Sequence, residues 1–137
     1  MKKYFISAVC CLLMVAGMVS CGGNSPEAVV EKAMGCLING DAEGYSQLML
    51  EPNPGRASHI IKEIAYKHKS IVDYKIKSVE KMEAGDGKIH YWVTLNMTNE
   101  RKNKGIGYMF LVEDENGELK LDGDGVSDWP EHGFMRE

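Results

Sequence analysis

At Ile71 the spacing of apolar residues changes. Before it they recur every three or four positions; after it they fall on every second position. A chain that is helical in its first half and stranded in its second cannot interleave helices between parallel strands. It packs its helices on an antiparallel sheet instead, an α+β plan. N-terminal helices on a curved antiparallel sheet of about four strands is the architecture this switch predicts.

Ser25-Pro26-Glu27 reads as a helix start, with Ser25 as N-cap, Pro26 at the first helical position and Glu27 favoured by the helix dipole. Val29, Val30, Ala33, Met34, Leu37 and Ile38 share one side of that helix. Gly40 suits a left-handed C-cap, and Asp41 can N-cap a short second helix carrying Tyr45, Leu48 and Met49. Glu51-Pro52-Asn53-Pro54-Gly55 is expected to break the chain. A third helix is then expected over 56–69, with Ile60, Ile61, Ile64, Ala65 and His68 as its inner stripe.

In the first strand Val72, Tyr74 and Ile76 alternate with Asp73, Lys75 and Lys77. Val79 is out of step, so a bulge near Ser78 is needed to restore register. Gly85-Asp86-Gly87 turns the chain. Ile89, Tyr91, Val93, Leu95 and Met97 then form an inner face against His90, Trp92, Thr94, Asn96 and Thr98. The next strand is apolar on both faces. Ile106, Tyr108, Phe110 and Val112 alternate there with Gly107, Met109 and Leu111; Tyr108 and Phe110 are expected inward, with Leu95 and Phe110 against the helices. Asn116-Gly117 signals a two-residue hairpin before Leu119-Lys120-Leu121, and the chain after Asp122 is expected to be irregular, with Trp129 tacking it down.

Ahead of all this, Lys2 and Lys3 precede an uncharged apolar run from Tyr4 to Val19, the pattern of a secretory signal and too short for a membrane-spanning helix. The run closes on Met18-Val19-Ser20-Cys21, which resembles a bacterial lipobox; Met18 stands where leucine is usual. The resemblance implies cleavage before Cys21, a diacylglyceryl thioether on that residue and a third acyl chain on its amine. Several chains anchor stably where one does not. The expected division is a signal peptide at 1–20, a lipidated tether at 21–24, a domain at 25–122 and a tail at 123–137, in the bacterial cell envelope.

The chain holds 16 Lys and Arg against 20 Asp and Glu, and losing Lys2 and Lys3 makes the mature part more acidic still. Nucleic acid is therefore not an expected partner. Arg101-Lys102-Asn103-Lys104 reads as a solvated hairpin tip. Cys10 and Cys11 leave with the leader and Cys21 carries lipid, so Cys36 has no intramolecular disulfide partner.

Ser25-Pro26-Glu27, then Asn39-Gly40-Asp41, then a bulged four-strand meander resembles small secreted lipoproteins of the nuclear-transport-factor-2-like superfamily, over about residues 25–122. The resemblance implies a cone, with helices packed in a strongly bent sheet and often a pocket inside. Some members are ketosteroid isomerases or dehydratases; many only bind ligands, dimerise or serve as accessory domains. No catalytic Asp-Tyr or His-Asp set carries over to positions of this chain.

The candidate pocket wall is Val30, Met34 and Leu37 with Tyr74, Tyr91, Val93 and Tyr108, a surface suited to a small amphipathic molecule. The plainer reading of these residues is core. The candidate outer contact is His90 with Trp92. Asp122-Gly123-Asp124-Gly125 with Asp128 is the most metal-like cluster, but no Glu closes an EF-hand loop, so a solvated acidic turn is preferred and no metal or cofactor is expected. His59 and Glu63, one helical turn apart, read as a surface pair. The expectation is a non-catalytic, lipid-anchored binding or interaction domain, with a small isomerase, dehydratase or hydrolase as the alternative. Expected partners are the membrane through Cys21, a small ligand or envelope protein, and a second copy through the sheet.

Overall fold

A computed structural model of the chain describes residues 25–83 and 85–127. The leader, Cys21 and its tether, Asp128, Trp129 and His132 lie outside the described residues, as does the side chain of His68. Three helices come first: α1 (Pro26–Asn39), α2 (Ala42–Leu48) and α3 (Pro54–His68). Four strands follow: β1 (Ile71–Glu83), β2 (Ile89–Asn99), β3 (Lys104–Glu113) and β4 (Leu119–Ser127). They form one antiparallel meander in the order β1-β2-β3-β4.

Each helix starts where a side chain satisfies its free N–H groups. Ser25 Oγ accepts from the Ala28 amide at 3.1 Å, and Asp41 Oδ1 from the Gly44 amide at 2.9 Å. Gly40 ends α1 at φ 73°, a left-handed value that costs glycine little. The third start differs from expectation. Asn53 Oδ1 caps the Arg56 amide at 3.0 Å, and Pro54 occupies the first helical position, so α3 begins at the second proline instead of after it. Proline lacks only an N–H that this position could not use.

Helices and sheet meet in one core. α1 contributes Val29, Val30, Ala33, Met34 and Leu37; α2 and its exit add Tyr45 and Met49; α3 adds Ala57 and Ile60. Val93, Leu95, Met97, Met109, Leu111, Leu119 and Leu121 answer from the sheet. Ala65, expected inward, is exposed.

The strands depart from simple alternation at three places. β1 shifts register between Ile76 and Ser78, so that Ile76 pairs with Leu95 and Val79 with Val93, both inward. It shifts again between Ile71 and Asp73, which turns Val72 out to 53 % exposure and puts Ile71 in the core. β4 shifts opposite the Met109–Leu111 segment and then resumes, pairing Val126 with Met109 and Ser127 with Tyr108. The strand therefore runs five residues beyond Asp122, where irregular chain was expected. Bulges of this kind bend and twist the strands that carry them.

The β3–β4 connection is also longer than a two-residue turn. The Asp114 amide bonds the Glu118 carbonyl at 2.8 Å and the Gly117 amide bonds the Asp114 carbonyl at 3.1 Å, with Gly117 at φ 81°. This is a three-residue loop with glycine in the left-handed position. At β2–β3, buried Asn99 Oδ1 accepts from the amides of Arg101 and Asn103, both at 2.9 Å, and so holds the basic tip in shape.

Candidate functional site

Among the described residues the helices cover one face of the sheet and leave the other open. Register gives the open face in rows across β1, β2 and β3. Met82, His90 and Val112 form the first; Glu80, Trp92 and Phe110 the second; Ser78, Thr94 and Tyr108 the third. Lys75, Asn96 and Ile106 make the fourth, and Asp73, Thr98 and Lys104 the last.

The middle of this face is aromatic. Trp92, 36 % exposed, meets Tyr108 edge-on with ring centroids 5.6 Å apart and Phe110 at a tilt with centroids 5.4 Å apart. Such contacts fix ring orientation and add to the stability of the pairing. Tyr108 and Phe110 are thus on the open face, which corrects their inward assignment. Met109 and Leu111 take the inner positions, each with no exposure. A strand apolar on both sides carries no internal signal of which face is which; pairing with Trp92 decides it.

Toward one end lies a cleft of about 480 Å³. Its lining is the last two rows together with Tyr74, Met97 and Gly105, the residues between them along each strand. Asp73, Lys75, Asn96, Thr98, Lys104 and Ile106 carry most of its lining, which places it on the open face. At the other end stands His90, with its side chain 19 % exposed. Its Nε2 is 2.9 Å from Asp86 Oδ2, and its Nδ1 is 3.9 Å from Asp122 Oδ2. The Asp86 carboxyl is held below its ordinary range, first by the Lys88 amide that bonds it and then by His90. His90 therefore bridges the β1–β2 turn to β4, and the open face runs from this clasp past the aromatic rings to the cleft.

Most of the residues expected to wall an inner pocket are buried in the core or packed against it. Val30, Met34 and Val93 have no exposure, and Leu37 retains 8 %. Tyr74 and Tyr91 pack against the same core from the rim. Burial, aided by Glu31 and Asp73, raises the Tyr74 phenol above its usual value. Tyr45 is enclosed, and its hydroxyl donates to the Asp124 carbonyl at 2.6 Å. Burial, with Asp124 nearby, keeps it protonated far beyond neutral pH. Among the described residues the buried polar side chains are Ser46 and Asn99, neither an acid nor a base at neutral pH.

Asp124 is engaged by Arg56 through two side-chain hydrogen bonds, Nε to Oδ1 at 2.9 Å and the second from Nη2 to Oδ2. This pair, reaching from α3 to β4, had no signal in the sequence, where Asp124 belonged to a loop cluster. Among the described residues no group of His, Cys, Asp and Glu is arranged to hold a metal ion. Cys36 is partly buried, and burial, with Asp41 nearby, raises its thiol. A raised thiol is a weak nucleophile. His59 and Glu63 form an exposed pair at 3.8 Å.

These features define a class: a helical layer packed on a bulged four-strand meander, with an aromatic face that no described helix covers. The sequence matches no family model and no curated protein. Solved structures do match. A Campylobacter jejuni chain assigned as a candidate nuclear-transport-factor-2-like transpeptidase is 15 % identical, with a TM-score of 0.51 over 72 % of this chain and 99 % of that one. ActVI-ORFA of Streptomyces coelicolor is 16 % identical, with a TM-score of 0.46 over 69 % and 88 %. Aln2 of another Streptomyces strain is 16 % identical, with a TM-score of 0.46 over 71 % and 87 %. The fold is nuclear-transport-factor-2-like; likeness at this identity speaks to the fold and not to the chemistry.

Proposed function

We propose that this chain is a lipid-anchored, non-catalytic binding module of the bacterial cell envelope that works through the open face of its sheet. The observation that carries the reading is the Trp92–Tyr108–Phe110 cluster, part-exposed on the face that no described helix covers. Large aromatic side chains left in water cost solvation that a partner recovers, and they dominate interface energetics. Anchoring rests on Ser20-Cys21 after an uncharged apolar run. The absence of catalysis is supported by the interior. A site within the cone needs an ionisable group held in an apolar pocket. The described interior offers tyrosines, of which Tyr45 is committed to the Asp124 carbonyl.

The test uses photo-crosslinking amino acids in the full chain in cells. A probe at Trp92 is expected to give discrete envelope adducts, and one at Tyr66, 80 % exposed on α3, none. Equal labelling from both positions rejects the face. Turnover of a small substrate, abolished by Tyr91→Phe with stability unchanged, rejects the non-catalytic reading.

A further inference from the structure

We infer that the cleft at the Lys104 end of the open face is a carbohydrate subsite, and that Tyr108 is the stacking platform beside it. The inference rests on the open-face reading above and names the class of its ligand.

Three observations converge. The cleft, about 480 Å³, is of the size that holds small ligands. Its side chains mix donors and acceptors: the Asp73 carboxylate, the Lys75 ammonium, the Asn96 amide and the Thr98 hydroxyl. Among the described residues none of these four makes a side-chain hydrogen bond or ion pair. They are therefore available to a ligand without breaking anything in the fold. Finally, Tyr108 lies one row beyond Asn96–Ile106, about 7 Å along the strand at two residues per row. Its ring is steadied edge-on by Trp92.

A sugar ring has the complementary surface. Its hydroxyls both donate and accept, matching a wall that offers both in alternation. Its axial C–H faces carry slight positive charge and sit on the negative face of an aromatic ring. A purely apolar ligand would leave the four polar groups desolvated and unpaired. A simple anion would meet Lys75 and Lys104 but also the Asp73 carboxylate in the same lining, and would leave the Asn96 and Thr98 acceptors unused. A neutral or zwitterionic glycan uses the four groups named above, and the face is long enough to carry further rings past Trp92.

The experiment is a titration of the detergent-solubilised full chain, uniformly labelled with nitrogen-15, with the trimer of N-acetylglucosamine and with cellotriose. Amide shifts are expected to saturate at Asn96, Thr98 and Ile106 with at least one of the two. Asn96→Ala, at an exposed position, is expected to weaken binding roughly tenfold, the scale of one or two lost hydrogen bonds. Tyr108→Phe keeps the ring face and is expected to bind as the parent does, whereas Tyr108→Leu is expected to bind roughly tenfold less tightly. Equal affinity of the Phe and Leu variants overturns the platform. Shifts produced equally well by inorganic phosphate overturn the sugar in favour of an anion. No saturable shift with either trimer overturns the carbohydrate assignment alone; the open-face reading stands or falls separately, on crosslinking at Trp92.

Discussion

Leu95 and Phe110 are large apolar side chains on neighbouring strands, and only one of them is in the core. Leu95 has no exposure and packs under the helices, while Phe110 is partly buried beside Trp92. Leu95→Ala is expected to cost about 2–5 kcal/mol, because the site is enclosed on every side and a cavity remains. Phe110→Ala is expected to cost about 1 kcal/mol, for the smaller area it hides. Urea denaturation of the two variants measures the difference, and equal costs would put Phe110 back in the interior. At Asp124 the expectation concerns pH. The hydrogen bond from Arg56 outweighs partial burial and holds the carboxyl below its ordinary value of 3.8. A carboxyl whose folded value is depressed stabilises the fold fully above its unfolded value and loses that contribution as pH falls through the folded one. Asp124→Asn is therefore expected to lower stability at neutral pH and to flatten the decline below about pH 4, read from thermal melts across that range. What composition could say of these residues was limited. Leu95 was legible because β2 alternates cleanly; Phe110 was not, because β3 is apolar on both sides, and Asp124 acts through an arginine 68 positions away.

Among the elements, β4 holds the largest departure from pattern. Asp122-Gly123-Asp124-Gly125 has the composition of a turn, and both glycines do adopt left-handed φ, 59° and 82°. They serve as an irregularity inside a strand, not as its end, since pairing resumes at Val126. The reason is tertiary: Tyr45 and Arg56 both take hold of Asp124 from the helical layer. Gly125 is fitted closely there. A Cβ on it would stand 2.8 Å from the Tyr45 hydroxyl and 3.0 Å from Leu121 Cβ. A Cβ on Gly117, with a similar φ of 81°, would meet no described atom within 4 Å. Gly117→Ala is expected to cost about 1–2 kcal/mol for the left-handed backbone alone. Gly125→Ala is expected to cost clearly more, because the hydroxyl or the strand must also move. Chemical denaturation ranks the two, and the reverse order would show that β4 yields easily. The helices, in contrast, were readable nearly residue by residue, since Ser25, Gly40 and Asp41 are local signals that act within one turn. The start of α3 was hidden, because the same two prolines break a helix from inside and open one from its first position, and Ala65 and Ile38 proved to lie outside the stripes they extend.

For the whole molecule, the proposed anchor predicts that Cys21→Ala abolishes labelling by radioactive palmitate and releases the protein from the membrane fraction. Equal labelling of the variant would remove the anchor. A molecule so tethered meets its neighbours in two dimensions, where uncontrolled association matters most, and strands invite association along their edges. The two edges of this sheet differ. On β4 the chain leaving α2 is already seated: Met49 bridges Leu121 in parallel, and the Leu50 amide bonds the Leu121 carbonyl at 2.9 Å. β1 is the other margin, thirteen residues long, carrying two bulges and Lys75, Lys77 and Lys81. Growth by strand addition requires two open margins per subunit, one to accept and one to offer. Where its own chain occupies Leu121, β4 offers a neighbour less of its edge than β1 does. An edge-to-edge pairing built on β1 alone joins β1 to β1 and closes at two copies.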